Sequence, residues 1–137
     1  MTDKPRNSGQ WTEARFRQFV ISGLRSLTMK WNPKSKAKAR ARVSRGLYRC
    51  EGCNDIGPAT LTPLVKGMKR RNNAVVDHIQ PVVDPREGFV NWDIYIERLL
   101  CEADGYQVLC HECHTRKTAN ERVMRTQAKR MERSEIA

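Results

Sequence analysis

Two Cys-x-x-Cys pairs, Cys50-Glu51-Gly52-Cys53 and Cys110-His111-Glu112-Cys113, stand far apart in a chain of 137 residues. A fold that brings them together must close a long intervening loop around four thiols. The chain has five cysteines, an odd number, and its polar start (Met1 to Gln10) has no export signal. Both features argue for a reducing cytoplasm, so the pairs read as metal ligands rather than disulfides. Four thiolates in two such pairs suit one tetrahedral zinc in a zinc-ribbon-like site with a long insertion. Gly52 suits a tight knuckle whose backbone amides turn toward the thiolates. Cys101 is left over and reads as a small hydrophobe.

Such a staple answers a composition problem. Hydrophobic residues make up 39% of the chain and charged ones 30%, so the core is modest and gains from a metal. The formal net charge is +11. That excess favours a polyanionic partner, nucleic acid before an anionic membrane, and does not by itself imply catalysis. No apolar run approaches the ~18 residues needed to span a bilayer, so no membrane association is expected.

The basic residues are concentrated. Thr12 to Leu27 is a helix by the spacing of Phe16, Val20, Leu24 and Leu27, with Thr12 as N-cap, and this stripe is expected to pack on the rest of the domain. Asn32-Pro33 then reads as a cap and first helical position, opening a second helix over residues 34–45. Its cations Lys34, Lys36, Lys38, Arg40 and Arg42 have no acidic residue among them between Trp31 and Arg49. Such an arm can lie along a phosphate backbone and release counterions; a solvated helix is the plain alternative. Lys69, Arg70 and Arg71 form a second group. Two domains follow: residues 1–45, a helical and basic DNA-binding region, and residues 46–137, a core holding the four cysteines.

Within that core, Val75-Val76-Asp77-His78-Ile79 reads as a short buried strand ending in an acid and a base. Trp92, Tyr95, Ile96, Leu99 and Leu100 mark a core-facing helix, and Tyr106-Gln107-Val108-Leu109 is a second strand that delivers Cys110. A final helix begins at Cys113 or His114 and runs to about Met131. The Asp77-His78 pair, the Cys110-x-x-Cys113-His114 run and Lys117-Thr118 fall in the order found in HNH (His-Me finger) endonucleases, and residues 74–118 resemble the core of that family.

The resemblance implies an α+β protein: a zinc-stapled ββα-metal core with an N-terminal helical, basic extension. It implies a divalent-metal-dependent endonuclease that hydrolyses DNA phosphodiester bonds, leaving 5′-phosphate and 3′-hydroxyl ends. Asp77 and His114 would hold the catalytic Mg²⁺ or Mn²⁺, His78 would be the general base, and Cys50, Cys53, Cys110 and Cys113 would hold zinc. Lys117 joins the basic residues as a candidate phosphate contact. Small free-standing proteins of this kind are common in bacteriophages, which makes the host cytoplasm the expected location. A double-strand break would need a homodimer or two successive nicks, and a phage protein is the other partner expected. The rival reading is a non-catalytic zinc-ribbon regulator that binds nucleic acid. It is kept open by Gly105, which stands where the family's central asparagine orients the base. Asp104, Asn91 or a backbone carbonyl is left to do that work.

Overall fold

The computed structural model describes residues 3–136, and the chain divides into two compact units between Trp31 and Asn32. In the first unit, α1 (Glu13–Leu27) begins where the Thr12 hydroxyl accepts from the Arg15 amide at 3.2 Å. Glu13 puts negative charge in the first turn and pairs with Arg6 at 3.1 Å. Arg6 also lies 4.2 Å from the Phe16 ring centroid, and Trp11 meets Phe19 at 5.1 Å. These contacts cover only the N-terminal end of the helix. No α1 side chain is fully buried: Phe16, Val20 and Leu24 are half-buried and Leu27 is 47% exposed, so the stripe expected to be packed is only partly covered.

The second unit opens with α2 (Asn32–Ala41), where the basic helix ends four residues earlier than its charge pattern suggests. Arg42–Ser44 forms strand β1, and Gly46, at φ +74°, turns the chain into β2 (Leu47–Arg49). β3 (Ile56–Pro58) completes an antiparallel sheet in the order β1-β2-β3. A second ribbon pairs β4 (Thr60–Leu61) with β5 (Arg71–Asn72). The third pairs β6 (Val75–His78) with β7 (Tyr106–Leu109), and α4 (His111–Ile136) follows directly. The architecture is α+β, with small sheets rather than one large one.

The expected division at residue 45 is not where the units part, and α2 shows why. Ala37 and Ala41 are buried, and their small side chains let the helix lie close on β6 and β7. Ala41, Ala74 and Val108 form one cluster, flanked by Tyr48, Ala59 and Val76. The basic helix is therefore part of the core unit, with Lys36 exposed and Lys34 and Lys38 half-buried.

Between β6 and β7 the chain inserts α3 (Trp92–Leu99), capped by Asn91, whose side chain accepts from the Ile94 amide at 2.9 Å. Tyr95 and Leu99 are buried, and Trp92 and Phe89 pack edge to face at 4.8 Å. Ile96, expected in the core stripe, is instead 40% exposed, because the buried side of this short helix is only as wide as Tyr95 and Leu99.

The outer edge of β7 has no strand beside it, yet its polar groups are met. The Glu51 amide donates to the Val108 carbonyl at 2.7 Å, and the Val108 amide donates to the Glu51 carboxylate at 2.7 Å. Arg40 grips the same carboxylate at 2.8 Å and donates to the Tyr106 and Ala103 carbonyls at 2.9 and 3.0 Å. Partial burial works against the charge on Glu51, but Arg40 and the Val108 amide hold its carboxyl below the usual carboxylate range. This stabilisation is full above the ordinary carboxylate pKa and is lost as pH falls through the lowered one.

Glu51→Ala is therefore expected to cost about 2 kcal/mol at pH 7, because a strand amide loses a charged acceptor. Arg40→Ala should cost less, about 1 kcal/mol, as the pair is partly exposed to solvent. The double variant should fall short of the sum in chemical denaturation; full additivity would show that the two side chains act separately.

Candidate functional site

The turn joining β2 to β3 is the first cysteine knuckle. The Cys50 amide donates to the Asp55 carbonyl and the Asn54 amide to the Cys50 carbonyl, each at 2.8 Å, with Asn54 at φ +67°. The expected turning of amides toward sulfur is present: Gly52 and Cys53 donate to the Cys50 Sγ at 3.4 and 3.5 Å. At Gly52 the knuckle is tight, since a Cβ there would meet Leu109 Cδ2 at 3.1 Å and make that side chain give way. The second pair straddles the start of α4, where the Cys110 amide donates to Cys50 Sγ at 3.3 Å and the Cys113 amide to Cys110 Sγ at 3.4 Å. Asn73, just before β6, accepts from the His111 amide at 2.9 Å and so caps the same helix start.

The four sulfurs lie within 4.8 Å of one another, and Cys53 and Cys110 are 3.9 Å apart. Zinc–sulfur bonds of ~2.3 Å in a tetrahedron put sulfurs about 3.8 Å apart, so the cluster can hold a structural metal such as zinc. Among the described residues no other group of three or more His, Cys, Asp or Glu converges in this way. Burial opposes ionisation of Cys50, yet the amides of Cys110, Cys53 and Gly52 together bring it down to about 6. The Cys110 sulfur, followed by burial, pushes Cys113 up to about 12. Cys50 thus ionises readily and Cys113 resists, until a divalent cation offsets the repulsion between thiolates.

At the other end of β6, the strand carrying Asp77 and His78 is pinned to α4. Lys117 donates to the Asp77 carboxylate and to the His78 carbonyl, and Gln107 donates to the same carboxylate at 3.4 Å. His114 is half-buried one turn before Lys117 and shares its face of the helix. The Asp77 carboxylate already has a cation, Lys117, beside it.

The His78 ring is held from the end of α3. Its Nε2 lies 2.8 Å from the Leu99 carbonyl, which also accepts from the Tyr106 hydroxyl at 3.0 Å. The two rings pack with centroids 4.8 Å apart, and Tyr106 is 1% exposed. A carbonyl only accepts, so Nε2 is the nitrogen that donates to Leu99. Of the three groups expected to orient His78, a backbone carbonyl, that of Leu99, lies on the ring, while the Asn91 side chain caps α3 and Asp104 is exposed. An asparagine at Gly105 would force Cys101 to shift, because a Cβ there would lie 2.7 Å from Cys101 Sγ. Sequence reasoning missed both Leu99 and Tyr106, whose part rests on a hydroxyl and a carbonyl with no motif of their own.

The basic residues divide by what they touch. Arg40 is committed to the β7 edge, and Arg71 donates to the Thr62 carbonyl at 3.2 and 2.8 Å. Arg42 donates to the Ser44 carbonyl at 3.3 Å, and Lys38 lies 5.5 Å from the Tyr48 ring centroid. Lys36, Lys69 and Arg70 are exposed, Lys34 is half-buried, and Lys117 serves Asp77. No helix among the described residues is long and apolar enough to cross a membrane. Compared with models of protein families, with curated proteins and with solved structures, the chain matches none.

Freshly purified protein is expected to carry one zinc per chain. Cys53→Ser should unfold or badly destabilise the second unit, since structural zinc contributes ~10 kcal/mol or more to small domains. Metal analysis that finds no zinc in folded protein would exclude this role for the cluster. Separately, Gly105→Asn should destabilise by about 1–3 kcal/mol through overpacking, and Cys101→Ala in the same chain should recover most of that loss. Equal thermal melts for the single and double variants would show that Cys101 is not what excludes a side chain.

Proposed function

We propose that this protein is a divalent-metal-dependent DNA endonuclease of the HNH type. The observation that carries the reading is the placement of Asp77 and His78 at the end of an antiparallel pair, pinned to the helix face bearing His114 and Lys117, with the imidazole held through Nε2. His78 then has one task its geometry suits: its Nδ1 takes a proton from the attacking water while Nε2–H keeps its bond to Leu99. Tyr106 packs against the ring and fixes its plane. Asp77 and His114 would hold Mg²⁺ or Mn²⁺, which when bound offsets the charge that develops on the phosphate and on the leaving oxygen. Lys34, Lys36, Lys38, Lys69 and Arg70 would draw in the phosphate backbone. Zinc at the four cysteines is structural in this reading, since the thiolates close a tetrahedron and leave no open position.

One observation favours a second reading, a zinc-stapled nucleic-acid-binding module without catalysis. Lys117 neutralises Asp77 within the protein, as a purely structural ion pair would. The two readings part in a plasmid-nicking assay with Mg²⁺ or Mn²⁺. The nuclease reading expects His78→Ala to keep its fold, zinc and DNA affinity while losing roughly 10²-fold or more in nicking rate, the scale of a lost general base. Asp77→Ala and His114→Ala should lose activity too, with partial recovery at high Mn²⁺, because a weakened metal site refills by mass action and a missing base does not. Equal nicking by wild type and His78→Ala would remove His78 as the base. No nicking by wild type with any divalent metal would leave the binding module as the function.

A further inference from the structure

The β4–β5 ribbon ends in a loop, residues 62–70, that is built firmly and yet displays apolar side chains to solvent. Its base is closed by the pairing Leu61↔Arg71 and by two hydrogen bonds from Arg71 to the Thr62 carbonyl. Its tip is a β-turn in which the Met68 amide donates to the Val65 carbonyl at 3.1 Å. Gly67 takes the third position at φ +86°, as a type II turn requires, and open space surrounds it. Leu64 is 83% exposed, Val65 64% and Met68 65%. Lys66, Lys69 and Arg70 are exposed among them, and no acidic residue occurs between Asp55 and Asp77.

We infer that this loop is a wedge that enters the minor groove of duplex DNA and opens a base step beside the site of cleavage. The inference rests on the DNA-binding part of the function proposed above. Apolar side chains such as leucine and methionine inserted between base pairs unstack them and kink the duplex, provided neighbouring cations hold the flanking phosphates. The loop presents that combination on a closed ribbon, so little ordering is lost on insertion. A second copy of the chain is a poor occupant, because two cationic tips repel. An anionic membrane is also poor, since three side chains are too small an apolar surface for stable anchoring. Position agrees with the wedge role. Asp77 is nine positions beyond Met68, which places the tip within about 30 Å of the strand end along the chain. One turn of duplex is ~34 Å, so wedge and reacting phosphate fall within a single turn.

The test uses the full chain bearing His78→Ala, without added Mg²⁺, so that binding is read with no cleavage. Duplexes carrying 2-aminopurine at successive steps report unstacking, and end-labelled duplexes report bending by energy transfer. The expected result is a rise in 2-aminopurine emission at one step, with a shortened end-to-end distance. The added triple change Leu64→Ser, Val65→Ser and Met68→Ser should abolish both signals and weaken binding by roughly tenfold, the scale of losing apolar anchors. Lys66→Gln with Lys69→Gln should keep both signals at saturation and lower the slope of log affinity against log salt by about 0.9 per lost contact. Tight binding with no unstacking, or signals unchanged by the serine variant, overturns the wedge and leaves DNA binding intact. No DNA binding at low salt overturns both. Serine-sensitive binding to phosphatidylserine vesicles, or a serine-sensitive dimer, with no unstacking of DNA, would assign the loop to a membrane or to a second copy instead.

Discussion

The second unit depends on the junction where β7 hands the chain to α4. Cys50 is buried there, its sulfur receiving amides from both knuckles, so the sheet turn and the helix start meet at one atom. Little else could hold this region. The buried apolar set is short and includes three alanines, and among the described residues Tyr106 and Val108 are the largest fully enclosed side chains. A core of that size contributes too little on its own against the entropy of ordering a long insertion, which is the circumstance in which metal staples serve.

Glu51 extends the effect of the knuckle along the strand. Because it lies between two cysteines of the cluster, its backbone and carboxylate are carried to the open edge of β7, where Arg40 from α2 completes the clamp. Strand edges left bare invite pairing with other chains, and here the edge is covered by charge and by a helix. The opposite edge of β7 holds β6 in register, so that His78 stands across from Tyr106. The geometry of the proposed base is thus downstream of the cysteine cluster: the cluster positions β7, β7 positions Tyr106, and Tyr106 with Leu99 positions the imidazole. Lys117 ties the other end of β6 to α4, so the strand is fixed at both ends to one helix.

The parts legible in the sequence were those that local physics encodes. The cap at Thr12 and the strands at Val75–His78 and Tyr106–Leu109 follow from side-chain spacing and short-range hydrogen bonding, as does the final helix, although α4 starts at His111 rather than at Cys113 or His114 and runs beyond Met131. The spacing of the cysteines announced a four-sulfur cluster, because thiols in such pairs have few other uses in a reducing cell. Tertiary structure alone decided what the charges do. Arg40 and Lys36 are both cations in one basic helix, yet one closes a strand edge 66 residues away while the other faces solvent. It also decided that α2 belongs to the core, that Ile96 lies outside it, and that Gly105 exists to clear Cys101. Each of these turns on a partner distant in sequence, and spacing along a chain carries no information about which distant group will arrive within 3 Å.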